Sequence, residues 1–147
     1  MITKVMKILR ERTSSAEETR ALGARLAKIA RPGDVFSLDG GLGSGKTEFA
    51  RGFVEALAGE IPVRSPTFSI VNTYQTPKFP VYHFDFYRIE DKREFLSIGL
   101  DEYITGDGVC LIEWGSMFPD ALPETTKHIR FTETGETKRT IEALFLF

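Results

Sequence analysis

The sequence predicts an α/β fold in three layers, with helices on both faces of a mixed sheet whose parallel core is extended by antiparallel strands. Three observations lead there. A short apolar run, Val35 to Leu38, passes directly into a glycine-rich loop and then into a helix with apolar periodicity. Two further apolar runs, "VYHFD" and "VCLIE", each end in an acid, as parallel strands sharing one carboxyl-terminal edge would. The tail, "HIRFTETGETKRTIEALFLF", reads as two strands around a turn near Gly135. The 147 residues suit a single domain, 1–147, around one core.

Each element has a local reason. Ser15 and Glu18 have capping-box spacing, and Leu22, Leu26 and Ile29 then recur on one face of a helix that "RPGD" stops. Beyond the glycine loop, Phe49, Phe53 and Leu57 lie four apart, on one face of a second helix despite Gly52. "IVNTY" is a strand, and "QTPKFP" turns the chain into "VYHFDFYR", with Tyr82, Phe84 and Phe86 on one side and Val81, His83 and Asp85 on the other. "DKREFLSIGLDEYI" is a short helical stretch interrupted near Gly99, and "TGDG" leads into the strand "VCLIEW".

The loop carries the chemistry. Gly40, Gly45, Lys46 and Thr47 satisfy GxxxxGK followed by Thr, between a strand and a helix. Glycines let the backbone turn and aim its N–H groups inward, and the helix N-terminus favours an anion. This predicts a P-loop NTPase in which Lys46 reaches the β and γ oxygens and the Thr47 hydroxyl binds Mg2+. Such an ion usually takes a carboxylate from a neighbouring strand end, and Asp85 and Glu113 are the two candidates. No N/TKxD tetrapeptide occurs, so ATP is expected rather than GTP. A small-molecule kinase stays a rival, with residues 90–104 as its lid or acceptor pocket.

Composition excludes other classes. Hydrophobic residues at 41% and charged residues at 27% are ordinary for a globular protein, and no apolar run is long enough to cross a bilayer. The N-terminus lacks the pattern of a signal peptide, so a cytoplasmic protein without membrane contact is expected. A net charge of -2 argues that any link to nucleic acid runs through a partner. The single cysteine, Cys110, reads as a buried strand residue rather than a reactive thiol.

Taken in order, "EETRALGARLAK", "GGLGSGKTEFARGF", "VRSPTFSIVNTY", "VYHFDFYRI", "IGLDEYI" and "LIEW" resemble the TsaE (formerly YjeE) family of small bacterial ATPases over about 130 residues, a length estimate that follows the motifs along the chain. The resemblance implies an ATPase of the machinery that forms threonylcarbamoyladenosine beside the tRNA anticodon. It implies TsaB and TsaD as partners, the latter performing the transfer, with tRNA met only through the complex. By the same resemblance ATP lies on Gly43, Ser44, Gly45, Lys46, Thr47 and Glu48, with Mg2+ on Thr47 and Glu113 and Asp85 supporting them. "SPTF" behaves as a switch in which Thr67 contacts the γ-phosphate region, and Thr19 helps bind adenine. Lys46, Asp85, Glu113 and Thr67 form the implied catalytic set.

Several neighbours keep two readings. Trp114 either packs near the nucleotide or is a half-buried strand-end aromatic. His83 reads as a packed, hydrogen-bonded strand histidine rather than a base. Arg88 either approaches phosphate or pairs with Asp85. "TKRT" is a solvated turn unless a basic residue there touches nucleotide or partner. The sequence also departs from the family pattern: Gly41 stands for an acid, Glu48 for a second threonine, and Gly115 for the proline after the tryptophan. Glu48 is expected to offer its backbone N–H and turn its carboxylate to solvent, since a carboxylate facing phosphate would repel it.

Overall fold

The computed structural model describes residues 6–66 and 69–146. Helix α1 (Ala16–Ile29) begins where Ser15 Oγ accepts from the Glu18 N–H at 3.1 Å, while the Glu18 carboxylate accepts from the Ser14 N–H, one residue before the cap. Leu22 and Leu26 are buried as the spacing predicts. Ile29, predicted on the same face, is 52% exposed, because it ends the helix beyond the reach of the sheet.

Strand β2 (Val35–Gly40), the loop and α2 (Lys46–Ala58) follow in the predicted order. Phe49 and Phe53 are buried on the face of α2 that meets the sheet, and Leu57 is partly buried against the same core. Gly52 is there because α1 crosses α2 at that point: a Cβ on it would sit 1.9 Å from the Arg20 carbonyl oxygen. The glycine that weakens the helix locally is what permits the crossing.

The remaining strands are β3 (Val71–Tyr74), β4 (Val81–Asp85), β5 (Val109–Glu113), β6 (Lys127–Glu133) and β7 (Arg139–Leu146), with short helices α3 (Arg93–Ile98) and α4 (Leu100–Ile104) meeting at Gly99. Sequence reasoning assigned no strand before α1, yet β1 (Met6–Thr13) is one, antiparallel to β7. Its sequence mixes Lys7, Arg10, Glu11 and Arg12 among apolar residues, and such a segment becomes a strand through its neighbour. It lies at the sheet edge, where exposed charges are suited.

The seven strands run in the order β1-β7-β6-β2-β5-β4-β3. Strands β6, β2, β5 and β4 are parallel, while β7, β1 and β3 add antiparallel. Phe36, Leu38, Val81, Val109 and Leu111 face the cluster built with α1 and α2. Val35, Phe84, Cys110 and Ile112 face a second cluster, with Phe86, Phe95 and Leu100. Two apolar faces on one sheet are the three layers predicted. Cys110 is buried as expected, and burial pushes its thiol up to about 12, so it stays protonated at neutral pH. No helix among the described residues is long and apolar enough to cross a membrane.

Candidate functional site

The parallel strands β2, β5 and β4 bring three carboxyl-terminal ends to one edge, and a cleft of about 360 Å³ opens there. Its floor is the glycine loop. Gly43 and Gly45 hold φ of 72° and 102°, the left-handed region that glycine enters freely. The first helical bond of α2 runs from the Phe49 N–H to the Gly45 carbonyl, so the N–H groups of Lys46, Thr47 and Glu48 precede the intrahelical ladder. Those donors and the helix dipole favour an anion at this point.

Lys46 is buried, and its ammonium donates to the carbonyls of Gly40 at 2.7 Å and Gly41 at 2.6 Å and to Ser44 Oγ at 3.3 Å. It also lies 4.3 Å from the centroid of the Trp114 ring. Burial holds its pKa below the ordinary lysine value, against the opposing pull of Glu113, Asp85 and Asp39. All three N–H bonds are matched within the loop, so binding a phosphate oxygen requires one to be exchanged.

The opposite wall comes from β4 and β5. Asp85 and Glu113 are register partners at their strand ends, and both are buried. The Asp85 carboxylate accepts from the Tyr87 N–H at 2.9 Å. Glu113 accepts from the Thr47 hydroxyl at 3.1 and 3.2 Å and is joined to His83 Nε2 at 2.6 Å. Hydroxyl and carboxylate are the hard oxygen donors that Mg2+ takes. Adjacent ligands of an octahedral ion with Mg–O bonds of 2.0–2.1 Å stand about 2.9 Å apart, close to the spacing here. Among the described residues no group of three or more His, Cys, Asp or Glu side chains is arranged to hold a metal. Two oxygens suit an ion whose remaining ligands are water and phosphate.

A family model described as "Threonylcarbamoyl adenosine biosynthesis protein TsaE" matches residues 13–141. The chain belongs to the TsaE family. It is 45% identical over 136 residues to the tRNA threonylcarbamoyladenosine biosynthesis protein TsaE of Bacillus subtilis, covering 92% of this chain and 85% of that one. The protein of the same name from Treponema pallidum is 35% identical over 127 residues, covering 86% and 93%. The crystal structure of Bacillus subtilis YdiB superposes with a TM-score of 0.81 at 38% identity, covering 96% of this chain and 87% of that one.

Of the predicted residues, Gly43, Ser44, Gly45, Lys46, Thr47, Glu48, Thr19, Asp85, Glu113 and Trp114 all line the cleft. Thr67 lies outside the described residues, though Ser65 just before it reaches the cleft wall. Thr19 is buried with its hydroxyl bonded to Thr13 at 2.8 Å, and it turns its methyl to Gly45. Trp114 faces the cleft, resting against Lys46 and 4.9 Å from the Tyr87 ring. His83 is the packed, hydrogen-bonded strand histidine of the first reading.

Glu48 corrects the expectation. Its carboxylate is not turned to solvent but is held by Arg20 at 2.6 Å and Arg51 at 3.2 Å. The hydrogen bond to Glu48 raises the Arg20 pKa above the ordinary guanidinium value. Two guanidiniums neutralise the charge that would otherwise repel phosphate, and a partner 28 residues back in the chain was invisible to helical spacing.

Arg139 in "TKRT" is no simple solvated residue. One guanidinium nitrogen donates to the Gly43 carbonyl at 2.8 Å and the other to the carbonyls of Gly135, Glu136 and Lys138. It ties the β6–β7 hairpin to the glycine loop across 96 positions of sequence, and no local signal marks it.

Proposed function

We propose that the chain is a Mg2+-dependent ATPase of tRNA threonylcarbamoyladenosine synthesis, one that supports or resets a TsaB–TsaD transferase and does not itself transfer the group. The observation that carries this reading is the meeting of Thr47 and Glu113, 66 residues apart, at the mouth of the glycine loop that also holds Lys46. Thr47 and Glu113 would hold Mg2+, which would supply positive charge to offset that developing on phosphate in hydrolysis. Lys46 exchanges a loop carbonyl for a phosphate oxygen, and the N–H groups of Lys46, Thr47 and Glu48 cradle the others. Glu113 accepts from the Thr47 hydroxyl, and Asp85 stands beside it at the adjoining strand end.

Hydrolysis by the chain alone is expected to be slow. A γ-phosphoryl transition state gains much of its stabilisation from an added cation. Arg139 is the arginine among the described residues of the cleft, and both its terminal nitrogens are engaged by backbone carbonyls. A partner that completes the charge is therefore part of the proposal. The kinase rival lacks support for its lid: none of the residues 90–104 lines the cleft, and Phe95 and Leu100 pack on the other face of the sheet.

The test is co-purification with TsaB and TsaD and measurement of ATP turnover with and without them. Faster release of free phosphate in the complex is expected. Modification that continues through many rounds with a non-hydrolysable ATP analogue would instead make the chain an ATP-binding regulatory module. Phosphate appearing on an added metabolite would make it a kinase.

A further inference from the structure

Histidine 83 is fully buried on β4, and the glycine loop has no direct use for it. Its register partner on β5 is Leu111, so Glu113 is its diagonal neighbour, two residues further along the same face. The imidazole Nε2 closes that diagonal, 2.6 Å from Glu113 Oε2. A carboxylate only accepts, so the tautomer that matches this contact carries its proton on Nε2 and donates it to Glu113. The other ring nitrogen, Nδ1, is buried and has no hydrogen-bond partner, the one such side-chain atom among the described residues.

That arrangement is costly for a residue whose role is packing alone. A buried polar atom without a partner loses the hydration it had in the unfolded chain, and an aliphatic side chain would avoid the loss. What the imidazole contributes is direction. With Oε2 held by His83, the Glu113 carboxylate is fixed about its last torsion, which is otherwise broad, and both its oxygens stay in reach of the Thr47 hydroxyl, Oε1 at 3.1 Å and Oε2 at 3.2 Å.

We propose that His83 is a positioning residue for the divalent cation: its Nε2–H fixes the Glu113 carboxylate so that Glu113 and Thr47 present two oxygens at the separation the ion needs. The proposal rests on the reading of Thr47 and Glu113 as the Mg2+ ligands given above. Groups that orient a ligating side chain typically change metal affinity by about 10- to 100-fold when removed.

The experiment follows ADP binding through the fluorescence of Trp114, the single tryptophan, which lines the cleft. Affinity is measured in Mg2+ and again in EDTA, and the ratio of the two is the contribution of the metal. His83→Leu is expected to lower that ratio by about 10- to 100-fold while leaving the EDTA affinity little changed. In His83→Gln the side-chain amide nitrogen takes the place of Nε2, and the ratio is expected to recover. His83→Asn, whose shorter amide stops near the position of Nδ1, is expected to behave as His83→Leu and replaces it should the leucine variant fail to fold.

A full metal contribution in both His83→Leu and His83→Asn would overturn the proposal. Equal losses in Mg2+ and EDTA would overturn it too, since they report a general disturbance of the cleft. A wild-type chain that binds ADP equally with and without Mg2+ would overturn the metal reading on which the proposal stands, and the proposal with it. That failure is seen before any variant is made.

Discussion

On the β2–α2 side of the cleft, the residues facing the ligand space are consecutive, from Leu42 to Glu48, and backbone dihedrals place them. On the β4–β5 side, Asp85 and Glu113 stand side by side because two parallel strands share a register, and His83 reaches Glu113 across 30 positions of sequence. The first wall is built from main-chain donors and one lysine, the second from buried carboxylates and an imidazole. A backbone wall recognises phosphate by shape and dipole, whereas a side-chain wall sets what lies between phosphate and protein. Removing parts of each wall should therefore fail in different ways.

The largest effect expected is on stability, and it asks whether the loop wall is as local as it looks. Gly52→Ala places a Cβ 1.9 Å from the Arg20 carbonyl, backbone against backbone, with no flexible side chain to give way. A loss of about 3 kcal/mol or more is expected in urea unfolding, at the upper end of overpacking costs. A variant as stable as the parent would mean that α1 can slide on α2 and that the loop does not depend on it.

Next comes Lys46→Ala, for which ATP affinity should fall on the order of 100-fold, since hydrogen bonds to a charged group are each worth about 1.5–3 kcal/mol. The loss should be similar in Mg2+ and in EDTA, because the ammonium belongs to the backbone wall. Glu113→Gln should differ in kind. Titration calorimetry should show roughly 10- to 100-fold weaker nucleotide binding in Mg2+ and little change in EDTA. Parallel losses in the two variants would erase the distinction between the walls.

The smallest effect belongs to Glu48→Ala. Half-buried pairs with Arg20 and Arg51 are worth about 0.5–1 kcal/mol together after solvent screening, and the loss of stability should shrink at high salt. Nucleotide affinity should stay close to that of the parent, since the residue offers the loop its N–H. A large drop in affinity would give the carboxylate a direct part in the site.

How far the sequence was legible follows the same division. The Ser15 cap, the apolar spacing of α1 as far as Leu26 and of α2, the acid-ended strands and the C-terminal hairpin are written in neighbouring residues, and these are present. Strand β1 escaped notice because a charged edge strand owes its form to β7, its partner at the far end of the chain. Glu48 was assigned to solvent because its carboxylate would repel phosphate, and helical spacing does not show Arg20 on another helix, which neutralises it. Arg139 looked like a turn residue because its bond to Gly43 depends on where the hairpin folds back.

The sequence by itself determined the glycine loop, the lysine and threonine within it, and the two acids at strand ends, since each rests on local dihedral preference or on a pattern of neighbouring side chains. Tertiary structure decided what those groups touch. It set Glu113 against Thr47 and His83, Lys46 against its own loop and Trp114, and Glu48 between two arginines. Such contacts follow from strand register and helix crossing, which arise from burying two apolar faces of one sheet and cannot be read from the pattern of neighbouring residues.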